Sequence, residues 1–197
     1  MRVVVDNGPG KTNRPLAARR PRPAKPATNL RAAVVADAPD LYELIAAHTE
    51  EGRLLPRTLS ELADHAERFV VAVQGERIVG CAELAPLSTA VAEVRSLVVS
   101  REARQSGLGQ RMVDELGRRA RRQGFARLTA FAHDPRFFVR LGFSIVPHTW
   151  VPEKIARDCF SCPLFRNCGQ YAIVLDLELA HALAGAGTHA SVVNRRG

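Results

Sequence analysis

The chain is 197 residues long and carries a formal charge of +8, with 46% hydrophobic and 24% charged residues. This balance suits one folded domain with tails and excludes wholesale disorder, a collagen-like repeat and a coiled coil. No apolar run approaches the roughly 20 residues that span a bilayer, and the N-terminus lacks the apolar core of a secretory signal, so no membrane association is expected. The four cysteines are unevenly placed, unlike those of a secreted disulfide scaffold, which favours a cytoplasmic protein.

The positive charge is concentrated at the two ends of the chain. The first 30 residues contain seven Lys/Arg, five prolines and a single acid, whereas residues 31–180 are formally neutral. We therefore predict a flexible basic arm over residues 1–29, a folded domain over residues 30–178 and a flexible tail over residues 179–197. A nucleic-acid partner that binds the arm is the less favoured alternative.

Hydrophobic periodicity predicts an α/β (α+β) chain in which strands and helices alternate. In chain order, the first predicted elements are a strand over residues 30–35, a helix from about Asp37 and a second helix from the capping pattern Thr58-Leu59-Ser60-Glu61 towards Arg68. A hairpin of residues 69–73 and 78–84 and a strand over residues 91–100 come next. Helix 107–123, strand 127–131, helix 135–141, strand 143–146 and strand 171–177 follow. These elements predict a mixed central sheet flanked by helices.

One stretch carries a recognisable chemical signature. At Val98-Val99-Ser100-Arg101-Glu102-Ala103-Arg104-Gln105-Ser106-Gly107-Leu108-Gly109, a strand runs through a short loop straight into a helix. Backbone N–H groups at a helix start, with glycines that allow close approach, form a cradle for a pyrophosphate. The stretch is neither a Walker loop, because no Gly-Lys-Ser/Thr follows, nor a dinucleotide fingerprint, because that needs three glycines.

The pattern Arg104-x-x-Gly107-x-Gly109 is followed some 30 residues later by Phe137-Phe138-Val139-Arg140-Leu141-Gly142-Phe143. Together they resemble the GNAT acetyltransferases, over roughly residues 30–178. The resemblance implies acetyl-CoA as the cosubstrate and direct attack of an acceptor amine on its thioester. It also implies that acetyl-CoA is bound by Leu97, Val98, Val99, Arg104, Gln105, Ser106, Gly107, Leu108 and Gly109.

Glu93 is the candidate general base. It lies six residues before Val99, the spacing at which histone-type GNAT enzymes place a glutamate base. Strand alternation predicts that Glu93, Arg95, Leu97 and Val99 share one face. The alternative is that Glu93 only pairs with Arg95 or with a neighbouring strand. Many family members have a tyrosine that can act as the general acid, but this chain has Phe138 at that position. Water or an unidentified group then protonates the leaving thiolate of CoA, or the thiolate leaves unprotonated.

Further segments narrow the resemblance to the short bacterial amino-acid acetyltransferases that make N-acetylglutamate. They are Gly52-Arg53-Leu54-Leu55-Pro56-Arg57-Thr58, Glu93-Val94-Arg95-Ser96-Leu97-Val98-Val99 and Lys154-x-x-x-Asp158-Cys159-x-x-Cys162-Pro163-x-Phe165-x-x-Cys168. The implied acceptor is L-glutamate, in the first step of arginine biosynthesis.

An acceptor with two carboxylates calls for cations, and Arg57, Arg95 and Lys154 are the candidates. Another small-molecule amine or a protein amine stays open as the acceptor. The protein could instead be a sensor that binds acetyl-CoA without activity, and Arg57 could be a surface cation. A second copy of this chain, in a homodimer, is a further candidate partner.

The cysteines Cys159, Cys162 and Cys168 form a cluster with no assigned role. No resident metal is predicted, because a second paired Cys knuckle is missing. A zinc site completed by His148 or Asp158, a redox-active pair and reduced thiols that pack a long connection remain alternatives.

Overall fold

The computed structural model describes residues 27–49 and 54–178. Residues 1–26 of the predicted arm and the predicted tail from residue 179 lie outside the described residues. Within the described part, no helix is long and apolar enough to cross a membrane.

The described elements follow the predicted order closely. They are β1 (Asn29–Ala32), α1 (Ala38–Thr49), α2 (Leu59–Asp64), β2 (Phe69–Gln74), β3 (Arg77–Pro86), β4 (Val91–Val99), α3 (Leu108–Arg122), β5 (Arg127–Ala132), α4 (Arg136–Val139), β6 (Ser144–Val146), α5 (Pro152–Lys154) and β7 (Tyr171–Asp176). A π-helical turn, Ile155–Cys159, continues α5. Short 3-10 turns lie at Val35–Asp37, Ala66–Arg68, Arg101–Ala103, His148–Trp150 and Phe165–Asn167.

Within the described residues, the strands form one seven-stranded sheet in the order β1-β2-β3-β4-β5-β7-β6. Neighbouring strands are antiparallel, except that β4 and β5 run parallel. Helix α3 packs on one face of this sheet through Leu108, Met112, Val113, Leu116 and Ala120. Helices α1 and α2 pack on the other face through Leu41, Ile45 and Leu62. The predicted mixed sheet flanked by helices is confirmed.

Local chemistry sets several element boundaries. The Thr58 hydroxyl accepts a hydrogen bond from Glu61 N at 3.2 Å, which is the predicted cap of α2. That helix ends at Asp64, earlier than predicted, and a 3-10 turn leads into β2. Before α1, Asp37 binds the Arg31 guanidinium through both oxygens, at 2.6 and 2.8 Å. Asp37 also accepts from Val34 N, so this carboxylate ties β1 to the start of α1.

Strand β4 changes face at Ser96. Its backbone there is left-handed, with φ +47°, and the register with β3 shifts between Cys81 and Glu83. Before this bulge, Ala92 and Val94 pack in the core under α3, so Glu93 and Arg95 face the side of α1 and α2. After it, Leu97 and Val99 pack towards α3 and Val98 towards α1. The prediction that Glu93, Arg95, Leu97 and Val99 share one face is therefore wrong, because a bulge breaks the alternation.

Strands β4 and β5 separate in the middle of the sheet. Their pairing runs from Val91 opposite Arg127 to Glu93 opposite Thr129 and ends there. Beyond Glu93, β4 is bonded to β3 only on its other side. The main chain of residues 97–99 thus has one edge open towards β5.

Candidate active site

A cavity of about 760 Å³ opens over the gap between β4 and β5. Its walls come from the end of α1, the loop before α2, the second half of β4, the end of β5, and α5 with its π turn. The cavity brings together eight of the predicted site residues: Arg57, Glu93, Arg95, Leu97, Val98, Val99, Arg104 and Lys154. The other five, Gln105, Ser106, Gly107, Leu108 and Gly109, continue from Arg104 into the start of α3.

The loop that precedes α3 is shaped by its backbone. Gln105 (φ +61°) and Gly107 (φ +76°) are both left-handed, which turns the chain sharply into the helix. Arg104 Nε donates to the carbonyl of Val99 at 3.1 Å and ties the loop to the end of β4. A Cβ on Gly109 would stand 3.4 Å from the Phe137 ring. Gly107, which precedes α3, has no side chain to cap the N–H groups of the first turn.

Glu93 lies at the centre of a buried ionic cluster. The residue is 4% exposed, and Lys154 Nζ donates to both of its carboxylate oxygens, at 2.8 and 2.9 Å. Arg95 Nε donates to the same carboxylate at 2.6 Å. Asp158, on the π turn, accepts from Lys154 at 2.8 Å and from Arg95. Two cations and two carboxylates are thus held together in the cavity wall.

The cluster fixes the charge of Arg95 and of Asp158. Burial opposes the charge on Arg95, but Glu93 and Asp158 outweigh it, so the pKa of Arg95 is raised. Burial would raise the pKa of Asp158, yet Lys154 and Arg95 outweigh it and the pKa of Asp158 is lowered. Arg95 and Asp158 are therefore both charged at neutral pH.

Arg57 is buried beside this cluster. Its side chain is 8% exposed. Nη1 donates to Glu83 Oε2 at 2.8 Å and to Ser96 Oγ at 3.1 Å. Nε lies 3.0 Å from Glu61 Oε1, an ion-pair contact without hydrogen-bond alignment. Nη2 is buried and has no partner among the residues that the structure describes. Arg57 is thus no surface cation; it is a buried one with a donor to spare.

Comparison with known proteins identifies the family. Residues 35–143 match the acetyltransferase (GNAT) family. The chain belongs to the GNAT family. It is 30% identical over 150 residues to an uncharacterized N-acetyltransferase of Chlorobaculum tepidum, covering 76% of this chain and 97% of that protein. It is 29% identical over 140 residues to an amino-acid acetyltransferase of Mycobacterium tuberculosis, covering 69% of this chain and 78% of that protein.

A solved relative is similar in structure as well. It is the N-acetylglutamate synthase of Neisseria gonorrhoeae, complexed with coenzyme A and N-acetyl-glutamate, with a TM-score of 0.69 and 27% identity. The match covers 77% of this chain but only 35% of that protein. This chain is thus an N-acetyltransferase of the GNAT fold that uses acetyl-CoA.

The position where many GNAT enzymes carry a tyrosine is part of the core. Phe138 is 7% exposed and packs edge-on against Phe143, with ring centroids 5.3 Å apart. It holds α4 against the sheet, as its apolar character predicts, and has no proton to donate.

The sequence patterns missed three side chains of this site. Glu83 is 1% exposed and anchors Arg57, and the Phe131 ring lies 5.2 Å from Lys154 Nζ. The third is Asp158, for which the sequence suggests only a possible zinc ligand and which binds Lys154 and Arg95. Only Glu83 had a signal in the sequence: it stands within the apolar run of β3, and a charge there predicts a buried partner of opposite sign.

The cysteine cluster lies next to the π turn. Cys159 and Cys162 are half-buried, Cys168 is exposed, and all three are free thiols. Burial raises the pKa of the Cys159 thiol. In residues 27–49 and 54–178, no group of three or more His, Cys, Asp or Glu side chains is arranged to hold a metal ion. The zinc alternative therefore gains no support here, and the redox and packing alternatives stay open.

The substitution Asp158→Asn tests the ionic cluster. Because the pKa of Asp158 is lowered in the folded protein, its stabilising effect is present above the unfolded carboxyl pKa of about 3.9 and is lost as the pH falls through the lower folded value. At pH 7 we expect the variant to lose about 0.2–1 kcal/mol in free energy of unfolding, measured by urea denaturation, since the pair is partly exposed. The difference from wild type should shrink as the pH falls below about 3.9.

The matched control is Asp114→Asn, an exposed carboxylate on α3. This variant removes a carboxylate that lies outside the ionic cluster. A difference for Asp158→Asn that stays constant from pH 7 to pH 3 would contradict the assignment of its charge.

Proposed function

We propose that this GNAT enzyme acetylates the α-amine of an amino acid, L-glutamate, in the first step of arginine biosynthesis. The observation that carries the proposal is the buried Nη2 of Arg57 in the cavity wall, which has no hydrogen-bond partner among the described residues. An unpaired buried donor costs roughly 1–3 kcal/mol, and a carboxylate on the acceptor would satisfy it with a charge-assisted bond. The amino-acid acetyltransferase relative and the N-acetyl-glutamate bound to the gonococcal synthase support this acceptor.

We infer that the two carboxylates of glutamate meet different cations. One binds Arg57, whose guanidinium is held in place by Glu83 and Ser96. The other meets Arg95 and Lys154, which it shares with the protein's own carboxylates. This arrangement leaves the amine between the two, next to the open edge of β4.

The cofactor half of the proposed site is the gap and the loop. The open main-chain edge of Leu97, Val98 and Val99 pairs with the extended arm of acetyl-CoA, which supplies the acetyl group as a thioester. Arg104 and the loop through Gly109 hold its phosphates at the start of α3. Residues of β4 therefore serve both substrates.

Glu93 is the proposed proton acceptor for the amine, through a water molecule. Its carboxylate is kept in place by Lys154 and Arg95, and the adjacent cavity gives an amine access to it. Since Phe138 has no proton to give, water protonates the thiolate or the thiolate leaves as the anion.

A screen of the twenty amino acids with acetyl-CoA, read by mass detection of the acetylated product, tests the acceptor. We expect N-acetylglutamate as the main product. Arg57→Lys should raise the KM for glutamate about tenfold, equivalent to about 1.4 kcal/mol, because lysine lacks the bidentate fork. The KM for acetyl-CoA should not change. The control is Arg118→Lys, an exposed arginine on α3. Turnover with another amine, and none with glutamate, would replace this acceptor.

The variant Glu93→Gln tests the proton acceptor. We expect kcat/KM for the acceptor to fall by roughly 10²–10⁴ at neutral pH, the usual contribution of a general base. The deficit should narrow as the pH rises, because a growing fraction of the amine is already deprotonated. A deficit that is the same at every pH would mean that Glu93 only positions Lys154 and Arg95.

Two left-handed glycines provide a matched test of the loop. Gly107 (φ +76°) and Gly75 (φ +63°) both have open space where a Cβ would be added, but Gly75 lies in the β2–β3 turn. Alanine at either position should cost about 1 kcal/mol of stability through the left-handed backbone. Steady-state kinetics should show a several-fold higher KM for acetyl-CoA in Gly107→Ala alone. Equal KM values in the two variants would remove the loop from the cofactor site.

A further inference from the structure

His48 is a buried histidine in the cavity wall that the proposed mechanism does not use. It lies in the last turn of α1 and is 8% exposed. Its Nδ1 lies 2.8 Å from the carbonyl oxygen of Leu44. Its Nε2 is buried and has no partner in the part of the chain that the structure describes. Together with Leu54 and Arg57 it lines the acceptor side of the cavity.

The contact with Leu44 determines which ring nitrogen carries the proton. A carbonyl oxygen only accepts hydrogen bonds, so Nδ1 must be the N–H donor. In the uncharged imidazole, Nε2 then carries a lone pair. A buried lone pair without a donor costs roughly 1–3 kcal/mol, and such groups in native proteins call for an explanation.

The carboxylates of the cavity wall are paired with cations of the protein. Glu93 and Asp158 accept from Lys154 and Arg95. Glu61 lies against the Arg57 guanidinium, and Asp134 accepts from Arg136. Nε2 of His48 therefore differs from these carboxylates, because its lone pair is available to a molecule that enters the cavity.

We propose that His48 binds the acceptor substrate, with Nε2 accepting a hydrogen bond from an N–H of its amino group. This proposal rests on the proposed acetylation of an amino acid and adds a residue that positions the amine. The amino group is the one hydrogen-bond donor that every acceptor of an N-acetyltransferase carries. While one proton leaves towards Glu93, the bond to His48 holds another N–H and so fixes the direction of the nitrogen lone pair.

Two substitutions separate this bond from the packing of the ring. In His48→Asn, the shorter amide can still donate to Leu44 but leaves nothing near the position of Nε2. In His48→Gln, the longer side chain can place an amide oxygen there. We expect His48→Asn to raise the KM for the acceptor about tenfold with the KM for acetyl-CoA unchanged, and His48→Gln to recover most of the loss.

His148→Asn is the matched control, because its Nε2 is also buried and unpartnered among the described residues but His148 does not line the cavity. It should leave the KM for the acceptor unchanged. An unchanged acceptor KM in His48→Asn, or the same increase in His48→Gln as in His48→Asn, would overturn the proposal.

A second measurement uses the wild-type protein and does not depend on how the variants fold. In ¹⁵N NMR of the imidazole nitrogens, Nε2 of His48 should shift when the acceptor is added to the protein with coenzyme A. A His48 signal that does not respond would also overturn the proposal. If the wild type acetylates a different amino acid, that amino acid is used, and only the glutamate assignment fails. A wild type that acetylates no amino acid would remove both.

Discussion

The left-handed backbone at Ser96 is the constraint on which the site depends. It inserts one extra residue into β4 opposite β3 and thereby reverses the faces of the strand. The first half of β4 directs Glu93 and Arg95 towards the α1 and α2 side. The second half leaves an open main-chain edge where β5 has already diverged. On the proposed function, one strand thus serves two substrates, with its side chains at the acceptor and its backbone at the cofactor.

The cavity wall around Arg57 and Glu93 is built from paired charges, and burying charges costs desolvation free energy. Its cations are bonded to carboxylates, Arg57 to Glu83, and Arg95 and Lys154 to Glu93 and Asp158. Desolvating such ions typically offsets most of their attraction, so they add little to stability. What they provide is orientation, since each carboxylate holds a cation in one direction. Nη2 of Arg57 has no partner among the residues that the structure describes, and it is the donor that we propose for a ligand.

The features predicted well from the sequence are those set by neighbours along the chain. The cap at Thr58, the apolar face of α3 and the turn into α3 at Gly107 depend on residues a few positions apart. The bulge at Ser96 could not be read in this way, because strand alternation assumes a period of two and the bulge arises from pairing with β3. Arg57 was predicted as a candidate for binding a carboxylate, but its burial could not be read from the sequence, since its partners Glu83 and Ser96 are 26 and 39 residues away.

Separation along the sequence also distinguishes the proposed cofactor site from the proposed acceptor site. The residues proposed to hold acetyl-CoA lie in one continuous segment from Leu97 to Gly109, so a short motif carries the cofactor site. The acceptor side combines α1, the loop before α2, β3, β4 and the π turn, with Lys154 bonded to a glutamate 61 residues earlier. Substitutions in any of these segments can change the acceptor while the cofactor loop stays the same. On the proposed function, acceptor specificity is therefore a property of long-range contacts, and His48 and Arg57 matter because each contributes a buried polar atom that has no partner among the described residues.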